Sequence, residues 1–322
     1  MTDTSYILGI DTSNYTTSCA LLNCDTGEIM QEKKLLPVKK GEAGLRQSDA
    51  VFHHTKQLPE LLEKLFGGVN VNISAVCASN VPRNADGSYM PCFLVGEGAA
   101  RSISAAAGCK SYFTSHQTGH VLAALYSADR LSWLYEDKPF IAFHVSGGTT
   151  DALLCKPDKD KLLDISPIAS SLDLKAGQAV DRTGLMLGLD FPCGKQLEKL
   201  AEKADKHYKC RITFKDGCCC LSGVENQCAK MLEQGEKREN IAAYCLDCIA
   251  EAVIGMTEYA VKKYGELNII YAGGVMSDKL LQSAVSAKYA VCFASAEYSC
   301  DNAAGIALYA ALRKGLTKWL RH

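Results

Sequence analysis

Short apolar runs alternate along this chain with stretches of helical period. Tyr6-Ile-Leu-Gly-Ile-Asp11 is an apolar run ending in a polar turn at Thr12-Ser13-Asn14, and the strand pattern resumes at Thr17-Ser-Cys-Ala-Leu-Leu-Asn23. Strand, polar tip and strand predict a hairpin. The same construction returns at Pro139 to Val145, with the turn Ser146-Gly147-Gly148-Thr149-Thr150 and a second strand from Asp151 to Cys155. Between the hairpins, periodicity predicts a helix over residues 53–66, a strand over 75–79, and helices over 96–107 and 115–127. Later come predicted helices over 178–187, 195–204 and 242–264, a strand over 267–272 running into Gly273-Gly274, and a closing helix over 303–314. Two halves with one opening predict an internally duplicated α/β protein. Its expected division is an N-terminal lobe over 1–130, a C-terminal lobe over 131–295, and a closing helix in 296–322 that packs back on the first lobe.

Composition narrows the classes. With 322 residues, 48% apolar and 22% charged, the chain is an ordinary globular mixture long enough for two domains. No basic cluster precedes an apolar N-terminal run, and no apolar run approaches the length of a membrane span, so a cytoplasmic protein without membrane attachment is expected. A net charge of -1 gives no global basic field, so any nucleic-acid contact would come from a local patch or a partner protein. The sixteen cysteines are scattered through apolar runs as small core residues. Cys218-Cys219-Cys220 with Cys228, and Cys245-x-x-Cys248, lack a second ligand pair at zinc-finger spacing and read as buried thiols.

The most specific chemistry lies at His116-Gln-Thr-Gly-His120. Histidines four apart on a helix project from one face, which is how a helix offers two ligands to one metal. Spacing alone leaves open a plain pair of surface or satisfied core residues. Asp301, where a strand hands over to the last helix, is the best placed source of an oxygen ligand. Three small-residue turns add to this: Asp11-Thr12-Ser13, Ser146-Gly147-Gly148 and Gly273-Gly274. Such turns present backbone N–H groups and hydroxyls to phosphate oxygens, although a single Ser-Gly-Gly is more often a plain hairpin turn. Their order, two phosphate loops and then an adenosine loop, is that of the actin, sugar kinase and Hsp70 superfamily.

At this point the chain resembles the TsaD/OSGEP family, the tRNA threonylcarbamoyladenosine synthases once labelled endopeptidases. The similar stretches run almost end to end: Leu8-Gly-Ile-Asp-Thr-Ser13, His53-His54 before Leu58-Pro59, His116-x-x-x-His120, Val145-Ser-Gly-Gly-x-Thr150, Asp173-x-x-Ala-Gly-x-Ala-x-Asp181-Arg182, Leu187-Gly-Leu-Asp-x-Pro192-x-Gly194, Leu221-Ser-Gly, Ala272-Gly-Gly-Val275 and Asp301-Asn302. The resemblance implies a duplicated actin-like ATPase fold, two α/β lobes with a nucleotide cleft between them. It implies His116, His120 and Asp301 as catalytic metal ligands, and His144, Val145, Ser146, Gly147, Gly148, Asp181 and Gly194 as contacts to ATP, AMP or an acyl-adenylate. Asp11, Thr12, Ser13, Gly273, Gly274 and Asp278 complete the expected nucleotide set, and Asp181 would accept from the ribose hydroxyls. Two histidines and an aspartate suit iron or zinc better than magnesium.

The implied reaction is transfer of a threonylcarbamoyl group from an adenylate to the exocyclic amine of a tRNA adenosine. The RNA would be reached through a multi-protein complex, with a homodimer or a heterodimer of related subunits as the expected assembly. A peptidase finds no support, because there is no H-E-x-x-H and no carboxylate placed as a base beside the histidines. The chain departs from the family at Tyr15 and Thr16, at Thr149 in place of a histidine, at Leu174-Lys175, at Asp278 in place of an asparagine, and in the Pro82 to Pro91 loop. Those departures leave two alternatives: a carbamoyl or acyl transferase with another acceptor, and a nucleotide-binding partner subunit without turnover.

Overall fold

A computed structural model of the chain describes residues 4–13, 15–37, 45–67, 71–300 and 302–319. Two compact units divide it: Met1–Tyr135 with Asp158–Leu163 and Asp301–His322 form the first, and Glu136–Pro157 with Asp164–Cys300 form the second.

In the first unit, β1 (Ser5–Asp11), β2 (Thr16–Asn23) and β3 (Ile29–Leu35) form an antiparallel meander. Helix α1 (Gln47–Phe66) follows, then β4 (Asn72–Val81), α2 (Phe93–Ala107), β5 (Lys110–Ser115) and α3 (His116–Ser127). The sheet order is β3-β2-β1-β4-β5, with β4 parallel to both of its neighbours. The near-continuous apolar character of β1 and β4 is what a strand buried on both faces requires. Leu8 and Ile10 face one core, shared with Leu58, Leu61 and Leu65 of α1 and Ala100 of α2.

The second unit repeats the plan. It contains β6 (Phe140–Val145), β7 (Thr150–Asp158) and β8 (Leu162–Ser170), then α4 (Ala176–Met186), α5 (Gly194–Ala201), and a small hairpin of β9 (Thr213–Lys215) and β10 (Cys218–Cys220). Helices α6 (Ser222–Glu233) and α7 (Arg238–Tyr264), strand β11 (Asn268–Ala272), helix α8 (Lys279–Ser286) and strand β12 (Cys292–Phe293) complete it. Its sheet runs β12-β11-β6-β7-β8, the order of the first sheet read from the other edge. The repeated strand order is the duplication that the two hairpins predicted.

Helix α9 (Ala304–Arg313) belongs to the first unit and packs on α3 at a crossing of two glycines. A Cβ on Gly305 would lie 1.8 Å from the Gly119 carbonyl oxygen, so the two backbones touch. Helix α7 is an exception to the expectation that no run resembles a membrane span: it is long and apolar enough, yet 83% of its most apolar window is buried within the protein. It is the central helix of the second core, through Ile241, Cys245, Ile249, Val253 and Met256. All sixteen cysteines are free thiols. Cys218 to Cys220 form β10, Cys228 is buried on α6, and Cys245 and Cys248 are buried on α7.

Candidate active site

The first unit assembles a buried chain of hydrogen bonds where β1, β4 and α3 meet. Parallel pairing sets Ile10 beside Ala78, so Asp11 and Ser79 emerge together at the carboxyl ends of adjacent strands, where α/β sheets place their ligands. Ser79 Oγ donates to Asp11 Oδ1, and Ser13 Oγ donates to Oδ2 at 2.7 Å. His116 Nδ1 lies 3.0 Å from the same Oδ2. Asp11 is wholly buried, which alone would raise its pKa; the adjoining His116 and the two serine hydroxyls outweigh that and hold it below the usual carboxylate value. A carboxylate can only accept, so His116 donates from Nδ1, and in the neutral ring this leaves the lone pair on Nε2.

That lone pair faces a second one-turn neighbour. His120 Nε2 stands 2.8 Å from His116 Nε2, with the rings 4.2 Å apart and nearly perpendicular. Two imidazole nitrogens bound to one ion at about 2.0–2.1 Å are roughly 2.9–3.4 Å apart at bond angles of about 90–110°. A metal needs only a few tenths of an ångström of opening, and Asp11 supplies the carboxylate behind a ligating histidine that metal sites commonly use to fix tautomer and ring orientation. The donor set therefore fits. Asp301 lies outside the described residues, and among those residues no group of three His, Cys, Asp or Glu gathers as a ligand set. Its neighbour Asn302 is buried and accepts from Ala304 N–H at 3.1 Å at the start of α9, the helix that crosses α3 at Gly119.

Local sequence explains the placement of α3. Ser115 caps it by accepting from Thr118 N–H at 3.1 Å. The Pro82 to Pro91 loop is anchored to the same turn, since Gln117 N–H donates to Pro82 O at 3.0 Å and Asn84 Nδ2 donates to Thr118 Oγ1 at 3.2 Å. Arg83 and Tyr89 are thus carried on a loop tied to the histidine helix.

The remaining side chains of the first turn face inward. Thr12 Oγ1 donates to Cys92 O at 2.9 Å and accepts from Gly96 N–H at 3.0 Å, which pins β1 to α2. Asp11, Thr12 and Ser13, expected as a phosphate loop, therefore spend their side chains on positioning His116 and on α2. Sequence reading gave no role to Ser79, nor to His54. His54 Nδ1 lies 2.8 Å from Thr17 Oγ1, whose proton goes to Gln57, and the wholly buried ring is pushed down to a pKa of about 4 by burial. Its Nε2 has no partner among the described residues.

In the second unit three segments converge behind β6. His144 pairs with Ala272 on one side and Asp151 on the other, and Val145 is fully buried. The following turn is closed by Ser146 N–H donating to Thr149 O at 2.7 Å and Thr149 N–H donating to Ser146 Oγ at 3.2 Å. Gly147 and Gly148 are exposed with open space where a Cβ would be. Gly273, at φ +100°, would drive a Cβ to 2.2 Å from Val145 O, so only glycine lets β11 pass this close to the turn. Gly274 opens a short 3-10 turn after it.

Asp181 on α4 accepts from Cys193 N–H at 2.9 Å through Oδ1, beside Gly194 at the start of α5. Burial raises its pKa, with the Cys193 bond opposing, and Oδ2 has no partner among the described residues. Asp278 stands differently. Expected among the nucleotide contacts, it caps α8, with Oδ1 accepting from Leu280 and Leu281 N–H at 2.9 and 3.2 Å. Asp173 joins two stretches that carried the resemblance: it accepts from Leu221 N–H at 2.7 Å and from Ser222 Oγ at 2.6 Å, holding the start of α6.

A family model described as tRNA N6-adenosine threonylcarbamoyltransferase, TsaD, matches residues 31–308. The chain belongs to this family. It is 26% identical to the tRNA N6-adenosine threonylcarbamoyltransferase of Thermosipho africanus (strain TCF52B), across 97% of this chain and 96% of that protein. The protein of the same name from Bacillus subtilis (strain 168) is 26% identical across 88% of this chain and 82% of its own. Family members are thus transferases acting on tRNA. Solved structures share the fold at lower identity: component A of the (R)-2-hydroxyglutaryl-CoA dehydratase of Acidaminococcus fermentans has TM-score 0.55 at 17% identity, covering 97% of this chain and 99% of that one. HypF of T. kodakarensis has TM-score 0.59 at 11% identity, covering 99% of this chain and 49% of that one. The fold is that of the actin-like ATPases, as the order of the turns predicted.

Proposed function

We propose that this member transfers a threonylcarbamoyl group from an acyl-adenylate to the exocyclic amine of a tRNA adenosine. The observation that carries the reading is the ladder from Asp11 through His116 to His120, a buried carboxylate orienting one of two imidazoles whose Nε2 atoms converge. Its donor set is that of a divalent iron or zinc site, with Asp301 as the oxygen ligand. When bound, such a metal supplies Lewis-acid polarisation of a carbonyl or phosphoryl oxygen.

The chain's own residues do the rest. Asp11 fixes the His116 tautomer, and His116, Ser79 and Ser13 together keep Asp11 ionised despite its burial. In the second unit the exposed Gly147 and Gly148 turn offers backbone N–H groups to phosphate oxygens, and Asp181 Oδ2 accepts a ribose hydroxyl. The acceptor N6 forms a bond to the acyl carbon, the bond from that carbon to the phosphate oxygen breaks, AMP leaves with the electron pair, and the N6 proton passes to solvent. An aromatic amine is a poor nucleophile, so positioning supplies much of the rate. The reaction takes place in the cytoplasm, within a complex that brings tRNA to the chain, as a homodimer or with a related subunit, away from any membrane.

The test supplies threonylcarbamoyl-adenylate, unmodified tRNA and the partner subunits, and follows modified nucleoside by mass spectrometry together with the metal content of protein purified without a chelating tag. Wild type should carry about one iron or zinc and form product, and His116→Ala should lose both. No product under any partner combination overturns the reading. One observation favours a second acceptor: Thr149 puts a short hydroxyl side chain in the β6–β7 turn, where the family carries an imidazole. Under that reading, AMP release would be stimulated by a molecule other than tRNA.

A further inference from the structure

The second unit holds an open groove of about 1010 Å³ that shares no lining residue with the glycine turns, Asp181, Gly194 or Asp278. It runs between α6 and the segment that links α5 to β9. That segment is locally basic, with Lys203, Lys206, Lys209, Arg211 and Lys215 against Asp205 between residues 203 and 215, in a chain whose net charge is -1. Lys206, Lys209 and Arg211 line the groove, are exposed, and form no ion pair with any described residue. The acids there are held by neighbours: Lys237 pairs with Asp205 at 2.5 Å, and Glu236, which also feels the charge of Lys206, accepts from Tyr208 Oη, from Asn240 Nδ2 at 2.9 Å and from Lys237 N–H at 2.9 Å. That hydrogen bond also holds the Tyr208 ring, 37% exposed, among the three free cations.

We infer that this groove, separate from the glycine turns of its own unit, binds the phosphodiester backbone of RNA, with Lys206, Lys209 and Arg211 on phosphates and Tyr208 stacked on a base. Unpaired cations at intervals of two or three residues, with an aromatic ring among them, are the means by which proteins hold an RNA strand without reading its sequence. The inference rests on the reading above in taking tRNA as the RNA. It makes the groove a positioning surface: loss of its charge weakens capture of tRNA and leaves the transfer step itself intact.

Fluorescence anisotropy of labelled unmodified tRNA, titrated with the full chain from 50 to 300 mM KCl, tests this. The variant Lys206→Gln/Lys209→Gln/Arg211→Gln should bind at least tenfold more weakly. Its slope of log affinity against log salt should be shallower by about 2, three contacts at about 0.7 each. In the transfer assay its KM for tRNA should rise with kcat unchanged, and the charge-keeping variant Lys206→Arg/Lys209→Arg/Arg211→Lys should restore affinity. Unchanged affinity and slope in the Gln variant, or displacement of tRNA by poly-glutamate as effective as by competitor RNA, overturns the inference. Tight, salt-dependent tRNA binding through the groove with no transfer product would instead sink the proposed reaction and leave the groove standing.

Discussion

Replacing Asp278 by asparagine should stabilise this protein at neutral pH and leave it unchanged in acid. The Asp278 side chain is 9% exposed, and its carboxyl is raised from 3.8 to about 6, first by burial and then by the nearby Glu198 and Glu202, against the pull of the Leu281 and Leu280 amides. A raised acid pKa means that the fold favours the neutral form. The associated stability is fully present below pH 3.8 and is lost as pH rises through about 6. A shift of about 2 units corresponds to about 3 kcal/mol at 1.36 kcal/mol per unit, and partial solvent access reduces that to about 1–2 kcal/mol. Asparagine caps helices about as well as aspartate, so the Leu280 and Leu281 bonds survive the change.

Calorimetric scans of both proteins at pH 4, 6 and 7.5 measure the difference. A gain of 1–2 kcal/mol corresponds to roughly 2–8 °C in a unit of this size. Asp278→Asn should melt higher by that much at pH 7.5, by less at pH 6, and at the wild-type temperature at pH 4. Glu202→Gln, which removes one of the neighbouring charges, should move the melting point in the same direction by a smaller amount. A difference that does not vary with pH, or a wild type that is the more stable at pH 7.5, refutes the argument.

Two further substitutions examine other parts of the same account. Gly305→Ala would put a Cβ 1.8 Å from Gly119 O and 2.9 Å from Ala123 N, both backbone, so it should cost about 3 kcal/mol or more and loosen metal retention; Gly119→Ala meets Ile306 Cδ1, the end of a side chain, at 2.5 Å and should cost about 1 kcal/mol. Equal costs by urea denaturation would contradict this picture of the α3–α9 crossing. His54 titrates with the opposite sign to Asp278. Its pKa is depressed to about 4, so its contribution is complete above pH 6.5 and is lost as pH falls through 4. The two effects offset each other in wild type, and removing the Asp278 carboxylate should uncover an acid-side loss of about 2 kcal/mol. His54→Gln in that background should flatten the curve again; a slope that persists without His54 assigns it elsewhere.

What the sequence displayed and what it concealed follow from the range over which each feature acts. The strands β1, β2, β6 and β7 were legible because burial on both faces imposes an unbroken apolar run, and α3 was legible with its two histidines because a helical face repeats every three to four residues. β3 was not, since Ile-Met-Gln-Glu-Lys-Lys-Leu is an edge strand whose charges face solvent and whose apolar alternation is correspondingly weak. The short α8 was hidden for a related reason: eight residues contain only two turns of periodicity, and its cap, Asp278, was read by its position in the resemblance and not as the aspartate that precedes a helix. Ser79 acts across 68 residues through strand register, which no local pattern carries. Knowledge that β1 and β4 are parallel neighbours would have been sufficient, because polar residues at the carboxyl ends of adjacent parallel strands must meet. The histidine pair was therefore readable as one helical face before the fold was known, whereas the carboxylate that orients it became readable only with the sheet order. Within this architecture the side chains that orient the histidine pair come from the strand ends, and the pair itself comes from the helix that follows them.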